Sequence, residues 1–176
     1  MKKIVAFAGS TSTTSINKQL VTFVASKLNN VEVQILDLND FELPLYSETV
    51  EKGMEYPENA EKFNSLLDAS DAFVVSLAEH NGSYTAGFKN LFDWVSRKEQ
   101  KVFRNKPLLL MATSPGGRGG ASVLASAQAT FPHMGAQVVG TFSLPKFYDV
   151  FKDGAITDKE LLEELNSQVA EFEKSL

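Results

Sequence analysis

A hydroxyl-rich loop follows the first apolar run of the chain and has the composition of an anion-binding site. Its candidate ligands are Gly9, Ser10, Ser12, Ser15, Ile16 and Asn17. Ser15 opens a helical pattern, and the first backbone N–H groups of a helix carry partial positive charge that favours an anion. A phosphate monoester is the expected guest. The alternative is that Ser15 only caps the helix and the other hydroxyls lie in a solvated turn.

Two common nucleotide motifs are absent from this loop. Gly9 is its only glycine, so the dinucleotide fingerprint GxGxxG is missing, and the pattern GxxxxGK[ST] is missing too. Both observations count against NAD bound in the Rossmann manner and against P-loop nucleotide hydrolysis.

A second candidate segment follows the apolar run Ala72–Leu77. It offers backbone and side-chain groups to a flat heterocycle rich in nitrogen and oxygen, and Gly82 permits close approach of the backbone. The flat side chain of His80 is expected near that ring or at a subunit contact, with a loop histidine of no special role as the alternative. The candidate residues are Glu79, His80, Asn81, Gly82 and Ser83.

A third candidate segment, Ser114 to Gly120, contains four glycines in five residues. Exposed N–H groups of such a backbone can wrap the edge of a ligand or bind a second anion. Arg118 is placed to meet a pyridine-nucleotide phosphate. The alternative is a flexible connection before a helix. The candidate binding residues are Ser114, Pro115, Gly116 and Gly117.

Five apolar runs alternate with helical patterns, which is typical of a doubly wound α/β fold with a parallel sheet. The predicted strands are Ile4–Ala8, Val31–Leu36, Ala72–Leu77, Pro107–Ala112 and Val138–Phe142. The predicted helices are Ser15–Leu28, Pro57–Leu67, Gly87–Val95, Ala121–Met134 and Asp158–Leu176, with Phe41–Tyr56 as a long loop. Rossmann and flavodoxin-like strand orders both place ligands at the carboxyl ends of the strands, where the three candidate loops lie. Residues 1–176 are predicted to form a single domain.

Composition excludes several classes of function. The chain has no cysteine, so it has no thiol nucleophile or thiolate metal site, and redox chemistry would need a bound cofactor. A net charge of −5 with only three arginines argues against nucleic acid as a partner. The first apolar run is too short for a signal peptide and no run suits a membrane span, so we expect no membrane partner and a cytoplasmic location.

The three loops together resemble those of the NADPH-dependent FMN reductases, which include quinone, chromate and azo reductases. The first-loop pattern of that family, GSxRxxSxN, is matched at Gly9, Ser10, Ser15 and Asn17. Its second pattern, roughly PEYNxSxPGxLKNxxDWxSR, is matched at Glu79, Asn81, Ser83, Gly87, Lys89, Asn90, Asp93, Trp94, Ser96 and Arg97. The resemblance runs from Lys3 to about Phe147.

This resemblance implies a flavodoxin-like three-layer sandwich that binds FMN at all three loops. It implies NAD(P)H as co-substrate, hydride passing through FMN to a quinone, flavin or similar small acceptor, and a homodimer or homotetramer. The flavin carries the chemistry, so we predict no catalytic side chain and no metal. The alternatives are a flavodoxin-type electron carrier, or a flavodoxin-like module that has lost its cofactor.

The chain departs from the family patterns at two places. Ser12 stands where the first pattern has arginine, which removes one cationic contact to a phosphate. Ala78 and His80 replace the proline and tyrosine of the second pattern, which alters what flanks the ring. The first departure bears on flavin affinity, and the second bears on the choice of substrate.

Overall fold

The computed structural model describes the whole chain, Met1–Leu176, and its centre is a five-stranded parallel sheet. The strands are β1 (Lys2–Gly9), β2 (Val31–Leu36), β3 (Ala72–Leu77), β4 (Lys106–Thr113) and β5 (Ala136–Leu144). Their spatial order is β2-β1-β3-β4-β5, and every neighbouring pair is parallel. This is the flavodoxin-like order, so the prediction of that fold is confirmed. The order in which strands are added to the sheet reverses between β1 and β3, and such folds bind ligands at this point.

Seven helices accompany the sheet. They are α1 (Ile16–Ala25), α2 (Glu48–Lys52), α3 (Glu58–Ala69), α4 (Ala86–Lys98), α5 (Ala121–Thr130), α6 (Phe147–Val150) and α7 (Lys159–Lys174). None of them has both the length and the apolar character needed to span a bilayer.

Two hydrophobic cores lie on opposite faces of the sheet and make the sandwich three layers thick. On one face, Phe7 of β1 packs with Phe63 of α3 and Leu91 of α4. On the other face, α1 and α7 bury apolar side chains such as Leu20 and Phe172. Strands covered on both sides are apolar at nearly every position, which explains the continuous apolar runs of β1 and β3 in the sequence.

The predicted strands and long helices match the observed ones to within a few residues, but five short structures were not predicted, one of which is α6. Residues 38–41 form a 3₁₀ turn, and α2 lies inside the segment predicted as a loop. The side chain of Ser47 caps α2 by accepting a hydrogen bond from the N–H of Val50 at 3.2 Å. A helix of five residues is too short to show a periodic pattern, so the loop prediction was wrong there.

The other two missed structures are antiparallel hairpins. One pairs Glu79–His80 with Ser83–Tyr84, and the other pairs Phe151–Lys152 with Ala155–Ile156. Each turns through a dipeptide in the left-handed region, Asn81-Gly82 in the first hairpin and Asp153-Gly154 in the second. Asn-Gly and Asp-Gly are the preferred sequences for such two-residue turns, so both hairpins had a signal in the sequence.

Candidate functional site

The carboxyl ends of β1, β3 and β4 meet in an open cleft of about 230 Å³. Nine of the fifteen predicted binding residues line it, and they come from all three candidate loops: Ser10, Ser12, Ser15, Ile16, Asn17, Glu79, His80, Ser114 and Pro115. The other six predicted residues lie outside its lining: Gly9, Asn81, Gly82, Ser83, Gly116 and Gly117. The fold therefore gathers the three loops at one site.

The first loop presents unpaired hydrogen-bond donors to this cleft. Ser15 caps α1 by accepting from the N–H of Lys18 at 3.2 Å, while the N–H groups of Ile16 and Asn17 have no acceptor within the protein. The hydroxyl oxygens of Ser10 and Ser12 accept backbone N–H groups within the loop and so fix its shape. Two free N–H groups at a helix start, beside several hydroxyls, are the donor set that a phosphate requires.

Asn17 has a buried side chain that joins α1 to two strands. It is only 2% exposed. Its Oδ1 accepts from the hydroxyl of Ser76 at 2.7 Å and from the N–H of Thr113 at 3.0 Å, while its Nδ2 donates to the carbonyl of Thr113 at 3.2 Å. The predicted binding residue thus faces the cleft mainly through its backbone, and its side chain fixes the loop against β3 and β4.

Gly9 ends β1 in a packed position rather than at the ligand surface. A Cβ at this residue would lie 2.9 Å from Cδ2 of Leu77 and 3.4 Å from the ring of Phe88. The hydroxyl of Thr85 also donates to the Gly9 carbonyl at 2.9 Å. Glycine is required here because β1, β3 and α4 come together closely at the start of the loop.

The second loop is the hairpin of residues 79–84, and its two acid–base residues differ in their surroundings. The carboxylate of Glu79 accepts from the N–H of Val123 at 2.9 Å and so caps α5, whose N-cap Gly120 offers no side chain. His80 is exposed and lines the cleft. Asn81, Gly82 and Ser83 are exposed around the turn.

The third loop divides into two halves with different roles. Gly116 and Gly117 are exposed, and a Cβ at Gly116 would meet nothing within 4 Å. Gly119 and Gly120 are buried with φ of 58° and 77°, values that side-chain-bearing residues rarely adopt. The first half is free to meet a ligand, while the second half is needed to start α5.

No lysine or arginine lines the cleft, and its only titratable side chains are Glu79, His80 and Tyr148. The nearest cation along the chain, Lys18, forms an ion pair with Asp37. The hydrogen bond from Lys18 is the main cause that lowers the pKa of the Asp37 carboxyl. Lys18 is therefore not available to replace the arginine that is missing at Ser12.

Four residues of the cleft lining were not predicted from the sequence. Thr14 and Ala78 each lie next to a predicted binding residue, Ser15 and Glu79 respectively. Thr113 ends β4, one residue beyond the predicted strand Pro107–Ala112. Tyr148 lies in α6, which falls between the fifth predicted strand and the last predicted helix. The full set is Thr14, Ala78, Thr113 and Tyr148.

The sequence profile of the NADPH-dependent FMN reductases matches residues 2–149. The chain belongs to this family. It is 31% identical over 146 residues to the NADPH azoreductase of Bacillus sp. strain OY1-2, covering 82% of this chain and 75% of the relative. It is 25% identical over 175 residues to the NAD(P)H:quinone oxidoreductase of Solanum tuberosum, covering 94% and 88%.

Among solved structures, this FMN reductase family member is similar to FerB, a flavoenzyme NAD(P)H:(acceptor) oxidoreductase from Paracoccus denitrificans. The TM-score is 0.75 at 26% identity, and the match covers 99% of each chain. The resemblance found in the sequence is confirmed by the profile, the relatives and this structure.

The family motif in α4 anchors the segment that follows the first 3₁₀ turn. The buried indole of Trp94 donates to the Pro44 carbonyl at 2.7 Å, and Oδ1 of Asn90 accepts from the N–H of Tyr46 at 2.8 Å. Arg97 donates to Glu51 at 2.8 Å. These motif residues of the reductase family hold residues 43–51 against α4.

A second cavity of about 290 Å³ includes one residue of the first loop of this reductase in its lining. That residue is Thr11, which does not line the cleft, and a Cβ at Gly87 would lie 2.8 Å from its methyl group. The wall of this cavity comes from residues 38–43 and α4. None of the predicted binding residues lines it.

Proposed function

We propose that this protein is an NAD(P)H-dependent FMN oxidoreductase that passes hydride from NAD(P)H through bound FMN to a quinone, flavin or similar small acceptor. The carrying observation is the cleft at the β1/β3 reversal, where two unpaired helix N–H groups and several hydroxyls face the loops of β3 and β4. Because the chain belongs to the FMN reductase family, we infer that the ligand of these donors is FMN.

The residues present fit FMN without any further group. The N–H groups of Ile16 and Asn17, with the hydroxyls of Ser10 and Ser12, would hold the phosphate. The exposed backbone of Asn81 to Ser83 and of Gly116 to Gly117 would bind the edges of the ring. Asn17 would act both as a backbone donor and as the residue that fixes the loop.

The protein's part in the reaction is binding and orientation. FMN held by the three loops would supply the redox chemistry, which is hydride transfer between NAD(P)H and a small acceptor. The cleft is open and no side chain forms a nucleophile–base pair within it, so we propose no catalytic side chain. His80, exposed at the rim, would flank the ring and shape access for the acceptor.

The test is a titration of the purified protein with FMN, followed by visible absorbance, and an assay of NAD(P)H oxidation with a quinone. Saturable FMN binding and flavin-dependent oxidation of NAD(P)H support the proposal. If excess FMN fails to bind, the alternative of a flavodoxin-like module that has lost its cofactor is supported instead. The lack of a cationic ligand at Ser12 is the observation that favours this alternative.

A matched pair of variants would test whether the first loop binds the phosphate of FMN. Ser12 and Thr13 are neighbouring exposed residues, but only Ser12 lines the cleft. Ser12→Glu puts a like charge beside the phosphate and should weaken FMN binding more than about tenfold. Thr13→Glu should have a much smaller effect, and equal effects of both variants would contradict this placement.

An electron carrier of the flavodoxin type differs from a reductase in its reductant. Such a carrier takes electrons from a partner protein rather than from NAD(P)H. Anaerobic mixing of the FMN-loaded protein with NADPH or NADH therefore separates the two functions. Rapid bleaching of the flavin absorbance supports the reductase, and a flavin that stays oxidised supports the carrier.

We further propose that residues 1–176 act as one FMN-binding domain in a cytoplasmic homodimer or homotetramer. The segment anchored to α4 presents Leu45 with 79% of its surface exposed, and we place the interface between copies there. Analytical ultracentrifugation of the wild type and of Leu45→Glu tests this assembly, since a charge at an interface should shift it toward monomer.

A further inference from the structure

Tyr148 brings an aromatic hydroxyl to the cleft from a segment outside the three loops. It lies in α6, after β5, and shares the cleft with Ser12 and Ser114. Its side chain is 59% exposed, which is unusual beside the buried aromatic rings of the same segment. Ligand sites are commonly lined by aromatic side chains with a few polar groups, so Tyr148 is a candidate for ligand contact.

Its hydroxyl differs from those of the other tyrosines. The chain has four tyrosines. Three donate to or share a hydrogen bond with a protein partner: Tyr46 with Glu51 at 3.0 Å, Tyr56 with the Trp94 carbonyl at 3.0 Å, and Tyr84 with Thr130 at 3.1 Å. The Tyr148 hydroxyl has no partner within the protein. It is therefore the one phenolic donor that remains for a ligand.

The segment that carries Tyr148 is firmly anchored. The N–H of Lys146 donates to the Gly116 carbonyl at 2.9 Å, and the N–H of Phe147 donates to the Ser114 carbonyl at 3.1 Å. Phe147 is buried and stacks on Phe151 with ring centroids 4.7 Å apart. An anchored backbone loses little entropy when its side chain engages a ligand, which favours binding.

The cleft lining offers a phosphate only neutral donors. No lysine or arginine lines it, and Lys18 is paired with Asp37. A phenolic O–H gives a phosphate oxygen a charge-assisted hydrogen bond without adding charge to the site.

We propose that Tyr148 is a cofactor-binding residue whose hydroxyl donates to the phosphate of FMN, in the absence of the family's arginine. This inference rests on the proposed function, because it assigns a further ligand to the same flavin. Its side chain lines the same cleft as the first loop, and its hydroxyl adds a donor to the set of the serines and helix N–H groups. Residues 145–150 thereby become a fourth binding segment.

The experiment compares FMN with riboflavin, which has the same ring and ribityl chain but no phosphate. Dissociation constants are measured by flavin fluorescence for the wild type, Tyr148→Phe and Tyr148→Ala. Tyr148→Phe should weaken FMN binding about tenfold or more and leave riboflavin binding within about twofold. Tyr148→Ala should weaken FMN binding at least as much. Tyr56→Phe, which removes a hydroxyl far from the cleft, is the matched control and should change neither constant.

The outcomes separate this proposal from the function on which it rests. Wild type that binds no FMN would overturn the proposed function itself. Wild type that binds FMN, with Tyr148→Phe binding it equally well, would overturn only the role of Tyr148. An equal loss of FMN and riboflavin in Tyr148→Phe would also overturn it, because the hydroxyl would then act on the ring or chain rather than on the phosphate.

Discussion

Asn17 and Thr113 form a reciprocal pair: the side-chain amide of Asn17 accepts the N–H of Thr113 at 3.0 Å and donates to its carbonyl at 3.2 Å. The pair closes the gap between the start of α1 and the end of β4, and Ser76 of β3 adds a third bond. A residue predicted as a ligand is thus also the connection that sets the phosphate loop against the sheet.

Replacing Asn17 should therefore cost stability as well as affinity. Asn17→Leu leaves the buried hydroxyl of Ser76 and the N–H of Thr113 without a partner, and each such group costs about 1–3 kcal/mol. We expect the free energy of unfolding in urea to fall by roughly 2–4 kcal/mol. Ser76→Ala removes one bond and should cost about 1 kcal/mol. Equal stability of Asn17→Leu and wild type would contradict the bridging role.

Glu79 should prove to be a helix cap rather than a flavin ligand. Its carboxylate accepts the Val123 N–H near the start of α5, where a negative charge also interacts well with the helix dipole. Glu79→Ala should destabilise the protein by about 1 kcal/mol. Glu79→Gln keeps an acceptor and should cost less, with FMN affinity unchanged in titration. A large loss of FMN affinity in Glu79→Gln would instead make this carboxylate a ligand.

The two halves of the third loop should respond differently to alanine. Gly119 has φ of 58°, and a Cβ there would contact Ser143 and lie 2.9 Å from the backbone nitrogen of Pro145. We expect Gly119→Ala to lower the free energy of unfolding by about 1–3 kcal/mol. Gly116→Ala has open space and should leave stability within about 0.5 kcal/mol. Thermal denaturation of the two variants measures the contrast, and similar losses would contradict it.

Restoring the family's arginine should strengthen the phosphate site. Ser12 is exposed at the cleft, so a longer side chain has room there. A charge-assisted bond is worth about 1.5–3 kcal/mol, so Ser12→Arg should tighten FMN binding about tenfold or more at low salt. Its dissociation constant should also rise more steeply with ionic strength than that of the wild type. Thr13→Arg, just outside the cleft, is the control. Equal gains from both variants would indicate long-range attraction only.

Tyr56 should make stability fall at high pH. Burial is the main cause that raises its pKa to about 12, above the ordinary value of 10. In the unfolded chain the phenol ionises near pH 10, so its contribution to stability is complete below pH 10 and is lost as the pH rises toward 12. Urea denaturation between pH 9 and 11.5 should show a smaller decline for Tyr56→Phe. Parallel declines would contradict the raised pKa.

The sheet and the meeting of the three loops could be predicted because continuous apolar strands, and the turn residues that bound them, are strong local signals. The contacts between residues far apart in the sequence could not be predicted. Nothing local shows that the side chain of Asn17 turns to β4, that Glu79 caps a helix at a residue 44 positions later, or that Lys18 is paired with Asp37. Tyr148 was missed for the same reason, since only the anchored segment after β5 brings it to the cleft.

The lack of lysine and arginine in the cleft lining bears on how much of the protein carries flavin at a given moment. A phosphate held by neutral donors is released more readily than one held by a guanidinium, so the loaded fraction follows the surrounding flavin concentration. By mass action, the melting temperature should then climb with each addition of FMN over a wide range. We therefore expect the flavin occupancy of this protein, and with it the rate of NAD(P)H oxidation, to rise and fall with the flavin supply.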